Sequence, residues 1–273
     1  MRQYLIADSG GSKTDWCFID FRKTKTYFTT KSYHPFNCDD DFVNSEIKFW
    51  TSHDYMLNAQ VFFFGAGCFN SQGKSHLEKV LFKIGFQNVT VKSDLHGAGL
   101  ALFGNENGNV AILGTGSVLF DWEQHEVSNV IGGEGHLIGD EGSGFYFGKL
   151  VFEAYNENRL TDRQRSVFDS VANISLINKA IEKKMHKFIL GDLSFRLREY
   201  RLLFNDFHLK NAELFCEKHL ASKVTKDISV LGGYGYYNRD ILRPIFNNFN
   251  YNGTIFLRRP IEALVEHIVF LNE

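Results

Sequence analysis

The apolar pattern changes period repeatedly along the chain. From Gln3 to Asp8 the run Tyr4-Leu5-Ile6-Ala7 is continuous and predicts a strand buried on both faces. A Gly10-Gly11 turn follows, then two further strands, Thr14 to Asp20 and about Thr26 to Ser32. The period becomes helical from Asp39 to about His53, with Phe42, Ile47 and Trp50 at apolar positions and Asp39 or Asp40 as the cap. Val61 to Phe64 reads as a strand that ends in Gly65-Ala66-Gly67. Ser71 to Ile84 reads as a helix with Leu77, Val80, Leu81 and Ile84 on one face, closed by Gly85. A strand at Val89 to Ser93 and a short helix from Asp94 to Phe103 complete the first half.

That order, β-β-β-α-β-α-β-α, then recurs. Asn109–Leu113, Ser117–Trp122 and Glu126–Ile131 read as strands, and a long helical stretch begins near Ser143. Ile228–Leu231 reads as a strand, Tyr236–Asn247 as a helix and Thr254–Leu257 as a strand. Pro260–Leu271 reads as a closing helix with proline in its first position. A repeated order predicts a duplicated α/β unit, and the unit matches the ribonuclease-H-like domain. Residues from about 155 to 225 have no counterpart in the first half, and their spacing is helical, so they read as a helical insertion in the second domain. The polar turn Gly104-Asn105-Glu106-Asn107-Gly108 sets the boundary, giving domains 1–106 and 107–273.

Composition narrows the function classes. Phenylalanine occurs 27 times and proline three times, an aromatic excess that reads as core filling. With a net charge of -2 and no basic patch, nucleic acid is not an expected partner. The four cysteines show no C-x-x-C spacing, which fits a reduced compartment and gives no zinc pattern. No apolar run is long enough to span a membrane and the chain begins directly with a strand, so a cytoplasmic location without membrane partners is expected.

Five glycine-bearing turns carry the candidate chemistry. In Asp8-Ser9-Gly10-Gly11-Ser12-Lys13-Thr14 a carboxylate ends the first strand before a hairpin whose backbone can approach a phosphate. Asp8 there suits Mg²⁺ held through water. Gly114-Thr115-Gly116-Ser117 repeats the arrangement in the second half, and two such hairpins at equivalent places suggest a clamp on the β- and γ-phosphates. Each hairpin taken singly also fits an ordinary β-turn. Asp94 begins a helix in Ser93-Asp94-Leu95-His96-Gly97-Ala98-Gly99, either as an N-cap or as a general base toward a hydroxyl. The stretch Gly132 to Gly144 mixes many glycines with His136, Asp140 and Glu141. It reads either as a ligand loop whose acids accept from sugar hydroxyls, or as a loop in which Asp140, Glu141 or Ser143 caps the next helix. Gly232-Gly233 in Leu231-Gly232-Gly233-Tyr234-Gly235 gives a close strand-to-helix turn against which an adenosine ring can lie.

These segments in this order resemble the N-acetylglucosamine kinase branch of the BadF/BadG/BcrA/BcrD ATPase family, within the actin, hexokinase and heat-shock ATPase superfamily. The most specific stretch is Gly139-Asp140-Glu141-Gly142-Ser143-Gly144, and Arg259 to Val265 resembles the family's closing helix. The resemblance implies an α/β fold of two ribonuclease-H-like (actin-like ATPase) domains with an interdomain cleft. It implies an ATP- and Mg²⁺-dependent kinase acting on the 6-hydroxyl of an amino sugar, with Asp94 as base. Gly10, Gly11, Ser12, Lys13 and Thr14 would bind phosphate together with Gly114, Thr115, Gly116 and Ser117. Asp8 would serve the metal, and Gly232 and Gly233 would lie by the adenosine. Asn37, Gly65, Ala66, Asp94, Thr115, Gly135 and Asp140 would bind the sugar. The family commonly places an asparagine beside proline after the third strand. Here Ser32-Tyr33-His34-Pro35-Phe36-Asn37 leaves either His34 or Asn37 for that role. Glu134 stands where animal kinases carry tryptophan, and Ser12 where threonine is usual. Two other readings stay open: an activator of a dehydratase, from the family's other arm, and a catalytically silent sugar or nucleotide sensor. A homodimer, the commonest soluble assembly, is a candidate, and the sequence leaves the oligomeric state open.

Overall fold

The structure is a computed structural model that describes residues 2–11, 13–133, 139–220, 227–251 and 255–272. The chain divides into two compact units, one of residues 1–105 with 260–273, the other of residues 106–259.

The first unit is a five-stranded sheet in the order β3-β2-β1-β4-β5. β1 (Tyr4–Ser9), β2 (Lys13–Ile19) and β3 (Lys25–Lys31) form an antiparallel meander, while β4 (Gln60–Gly65) and β5 (Asn88–Ser93) run parallel to β1. The central strand has Leu5, Ile6 and Ala7 buried in succession, as its unbroken apolar run predicts, and the edge strand β3 is largely exposed. Helices α1 (Asp40–Thr51), α2 (Ser71–Ile84) and α3 (Asp94–Phe103) lie at the predicted positions. Asp39 caps α1, its carboxylate accepting from Phe42 N–H at 2.8 Å. Ile47, expected inside, is exposed. Glu46 is buried in its stead, because the Tyr33 hydroxyl donates to it and Lys31 lies 3.3 Å away. Trp16 centres the core, edge-on to Trp50, Tyr33 and Phe63 at centroid distances of 5.2 to 5.7 Å.

The second unit repeats the topology. Its sheet runs β10-β9-β6-β7-β8, built from β6 (Gly108–Leu113), β7 (Ser117–Glu123), β8 (Glu126–Gly132), β9 (Ile228–Leu231) and β10 (Phe256–Leu257). The antiparallel meander β6-β7-β8 corresponds to β1-β2-β3, and β9 and β10 run parallel to β6. Over its described residues the segment read as an insertion is helical: α4 (Gly144–Asn156) is followed by α5 (Asp162–Val171), α6 (Ile174–Glu182), α7 (His186–Arg196) and α8 (Asn205–Phe215). A Cβ on Gly148 would lie 2.1 Å from the Leu190 carbonyl, so the glycine lets α4 and α7 meet backbone to backbone.

Three further expectations change. The helix predicted over Tyr236–Asn247 is two helices, α9 (Gly233–Tyr237) and α10 (Arg239–Asn248), broken at Asn238. The last helix, α11 (Ile261–Asn272), starts one residue after Pro260 instead of on it. It also belongs to the first unit and not to a continuous 107–273 domain, because it packs on α3, β1 and β2. Among the described residues no helix is long and apolar enough to cross a membrane.

Candidate active site

Strand register gathers the first unit's candidates at one sheet edge. Ser9 pairs with Gly65 and Gly65 with Ser93, so β1, β4 and β5 end in one row. Asp8, Gly65-Ala66 and Asp94 therefore emerge together at the carboxyl ends of parallel strands, where α/β sheets bind ligands. The Ala66 N–H, donating to the Ser9 carbonyl at 2.8 Å, ties the β4 end to the hairpin. Gly97 lets α3 lie on Phe64 of β4, whose Cβ would be 2.8 Å from a Cβ added there.

Asp94 is not the N-cap of α3. Ser93 caps it, accepting from His96 N–H at 3.1 Å, and Asp94 Oδ1 accepts from Leu95 N–H at 3.0 Å. The capping that competed with a base role is thus done by the neighbouring hydroxyl. Burial raises the Asp94 pKa, against hydrogen bonds from the backbone N–H groups of Leu95 and Asp94 itself. Burial, helped by the nearby Asp15 and Asp94 carboxylates and opposed by Lys13, raises Asp8 to about 7. Asp8 and Asp15 face each other directly across β1 and β2. Asp15 is compensated by Lys13 Nζ at 2.7 Å and by the Thr29 hydroxyl at 2.8 Å. Asp8 is left as the least compensated carboxylate of the group, which suits a hydrated dication. Among the described residues no three acids, histidines or cysteines cluster closely enough to enclose a metal themselves. Water-mediated Mg²⁺ binding by few carboxylates matches that arrangement.

The β1–β2 hairpin divides its residues between support and an open face. Thr14 is fully buried: its hydroxyl lies 2.8 Å from the Ser9 hydroxyl, and both approach Tyr33 N–H. Through these contacts it pins the hairpin from inside. Gly10 N–H is held by the Lys13 carbonyl at 3.0 Å. Neither Gly10 nor Gly11 has an atom within 4 Å of a would-be Cβ, so the loop's outer face is open. Ser12 lies outside the described residues.

His34 caps a short 3₁₀ turn, Pro35–Asn37, of which Asn37 is the last residue. Asn37 is exposed, whereas His34 packs over the Gly65-Ala66-Gly67 turn, its Nε2 2.9 Å from the Cβ position of Gly67. Burial lowers the His34 pKa, and its Nδ1 faces Phe36 N–H at 3.4 Å.

In the second unit the β6–β7 hairpin, Gly114 to Ser117, ends at the matching edge. α4 braces it, with Gly144 N–H donating to the Gly114 carbonyl at 2.8 Å and Phe145 N–H to that of Thr115 at 3.1 Å. Asp140 adopts a left-handed φ of 73° and is 2% exposed. Its Oδ1 accepts from Ser117 N–H at 2.9 Å, and its Oδ2 pairs with Lys187 Nζ at 2.8 Å. In this arrangement Asp140 and Ser117 fix the hairpin's shape, and Thr115 is its exposed tip. Glu141 is likewise engaged: burial raises its pKa, but hydrogen bonds from Lys218 at 2.9 and 3.1 Å outweigh that and hold it low. Ser143 is the helix cap, accepting from Tyr146 N–H at 3.1 Å. Gly135 and Glu134 lie outside the described residues.

Gly232 needs its missing side chain twice over. Its φ is 118°, and a Cβ would sit 2.6 Å from the Leu113 carbonyl oxygen and 3.1 Å from Gly114 N. It thereby presses the β9 turn onto the hairpin, while Gly233 faces open space. Three supporting residues, Asn211, His208 and Lys187, carried no sequence signal. Asn211 accepts from Gly142 N–H at 2.7 Å and donates to the Ser143 carbonyl at 2.9 Å. Tyr234 OH lies 3.0 Å from Asn211 and 2.9 Å from His208 Nδ1. Lys187 is one of many lysines in an amphipathic stretch.

No protein-family model matches the chain. A 93-residue stretch is 34% identical to the N-acetylmuramic acid/N-acetylglucosamine kinase of Clostridium acetobutylicum, spanning 33% of this chain and 29% of that protein. A candidate N-acetylglucosamine kinase from Porphyromonas gingivalis superposes with a TM-score of 0.86 at 22% identity, over 99% of this chain and all of that one. One from Chromobacterium violaceum gives 0.72 at 16% identity, over 98% and 99%. Glucokinase and MreB structures share the same architecture. The fold is that of the actin-like ATPases and hexokinases. In actin-like terms the two sheets are the duplicated halves, the β1–β2 and β6–β7 hairpins are equivalent, and α5 to α8 enlarge the second half.

Proposed function

We propose that the chain is an ATP-dependent kinase of the N-acetylglucosamine kinase branch, transferring the γ-phosphoryl group to the 6-hydroxyl of an amino sugar, N-acetylglucosamine before others. The observation that carries this reading is Asp94: a carboxylate with raised pKa at the start of α3, relieved of capping by Ser93, beside Asp8 at the strand ends. Asp94 accepts the proton of the sugar hydroxyl as its oxygen bonds to phosphorus and the bond to ADP breaks. Mg²⁺, when bound near Asp8 through water, offsets phosphate charge. Gly10, Gly11 and Lys13 serve one part of the triphosphate, Gly114 to Gly116 another, and Gly232-Gly233 the adenosine. Thr14, Ser117 and Asp140 act by holding the two hairpins in shape. Gly65, Ala66 and Thr115 face the sugar. His34 joins them in preference to Asn37, since burial keeps its imidazole neutral against the Gly67 turn.

The test is ADP release by the purified protein with Mg-ATP against a panel of amino sugars and hexoses. Strong stimulation by an N-acetylated hexosamine is expected. Asp94→Asn is expected to lower turnover by roughly 10²–10⁴-fold with nucleotide affinity retained. Near-normal turnover in that variant would remove Asp94 from the base role.

A further inference from the structure

Lys187 belongs to the inserted helices, yet its ammonium lies at the second hairpin. Its Nζ is 2.8 Å from Asp140 Oδ2 and 2.8 Å from the position a Cβ would take on Gly116. Packing enforces the placement. Gly191, one turn further along α7, lets that helix rest on Thr115, whose Cγ2 would be 2.7 Å from an added Cβ. Gly148 of α4 does the same for the α7 backbone at Leu190. The pair is asymmetric: the Asp140 side chain is 1% exposed and that of Lys187 is 26% exposed. The ammonium is thus anchored on one side by a buried carboxylate. The Lys187 side chain stays 26% exposed, and the hairpin it meets has open space at Gly114, with no atom within 4 Å of its Cβ position, and an exposed tip at Thr115. A carboxylate held in a left-handed backbone conformation to support a largely buried cation is an arrangement that surface ion pairing alone does not require.

We propose that Lys187 is the cationic ligand of a nucleotide phosphate held at the β6–β7 hairpin, and that Asp140 keeps its ammonium in position when no phosphate is bound. The assignment rests on the kinase reading above. An ammonium carries three donors, so Lys187 can keep Asp140 and still donate to a phosphate oxygen. A phosphate brings more charge than a carboxylate and draws the ammonium further toward the hairpin. The helical insertion then contributes a ligand directly, beyond enlarging the unit.

The experiment is calorimetric titration of the full chain, without sugar, using Mg-AMP-PNP, Mg-ADP and adenosine. It compares wild type with Lys187→Met, Lys187→Arg and the double variant Lys187→Met/Asp140→Asn. The double variant removes both charges, so it reports binding even where Lys187→Met alone leaves Asp140 buried without a partner and fails to fold. A loss of roughly 10- to 100-fold in affinity for both phosphate-bearing nucleotides is expected in the methionine variants. Adenosine affinity should be unchanged and the arginine variant should recover most of the loss. Equal nucleotide affinity in wild type and the double variant overturns the Lys187 assignment and leaves the kinase reading standing. A parallel loss of adenosine affinity overturns it too, because it marks Lys187 as a brace only. Absence of any nucleotide binding by the wild type overturns both.

Discussion

Replacing Asp8 by Asn should stabilise the ligand-free protein and at the same time abolish its response to Mg²⁺. The carboxylate stands across from Asp15 and near Asp94, and its pKa rises from the ordinary 3.8 to about 7, burial being the largest cause. Between those two values the folded protein holds a proton that the unfolded chain has released. Stability therefore falls as pH rises from about 4 to about 7 and is level above. At 1.36 kcal/mol per pK unit the full rise corresponds to roughly 4 kcal/mol. Asp8 is not fully enclosed, and solvent screening reduces this to about 2–4 kcal/mol at pH 8. An uncharged isostere escapes the penalty. On a chain of this size that is a Tm increase of roughly 5–10 °C at pH 8, shrinking toward pH 4. The assay is thermal unfolding of both proteins from pH 4.5 to 8.5, with and without millimolar Mg²⁺. Wild type should gain stability from Mg²⁺ above pH 7 and lose that gain below it, since the cation needs the ionised form. Asp8→Asn should show no gain at any pH. A stability difference that does not vary with pH, or an Asp8→Asn protein less stable than wild type at pH 8, would refute the crowded-carboxylate account.

Two further outcomes are expected in the second unit. Gly232→Ala should destabilise by roughly 2–4 kcal/mol, combining left-handed strain with a Cβ driven into the Leu113 carbonyl, whereas Gly233→Ala, with open space at its Cβ, should stay within about 0.5 kcal/mol. Urea unfolding midpoints of the pair decide this, and equal midpoints would show that the β9 turn does not press on the hairpin. His208 has its pKa lowered from 6.5 to about 3, by burial first and by Arg201 next, so its contribution is complete above 6.5 and is lost as pH falls toward 3. About 2 kcal/mol should go between pH 7 and pH 5, and His208→Gln should flatten that slope if the neutral, buried imidazole is its source.

The order of elements was legible because glycine marks the ends of β1, β4, β6, β8 and β9 and the apolar pattern switches between strand and helical period. Gly85 and Gly104 end helices where expected, and Ser71–Ile84 forms as written. The candidate positions were legible for the same reason: glycine clusters mark places where backbone must stay open, and parallel register brings strand ends into one row. Roles within those clusters were harder to read, since residue type does not say which way a side chain turns. Thr14, Ser117 and Asp140 lie inside the motifs but face inward, toward Ser9, the Asp140 carboxylate and Lys187. Asn211 and Lys187 meet the glycine-rich loop and the hairpin from far along the sequence, and no local pattern encodes such a contact. The break at Asn238 and the packing of α11 on the first unit are likewise tertiary outcomes.

Duplication of topology has not meant duplication of chemistry. Each half holds its hairpin at the same edge, but with different means. In the first unit two buried hydroxyls and a backbone N–H secure it, which leaves Asp8 and Asp94 out of the bracing. In the second unit a buried carboxylate and two N–H groups at the start of α4 secure it, and that carboxylate requires a cation, supplied by the inserted α7. The first unit therefore gathers three carboxyl groups, Asp8, Asp15 and Asp94, with only Asp15 paired to a lysine among the described residues, and the second presents the ammonium of Lys187. The proposed transfer needs a proton acceptor as well as donors to phosphate, and the second hairpin adds Lys187 to the donor that Lys13 offers at the first. On this argument the helical insertion is the feature that lets the second copy specialise. Shortening it past Lys187 should cost phosphate affinity before it costs the sheet, a separation that nucleotide titration and far-ultraviolet circular dichroism can measure on the same sample.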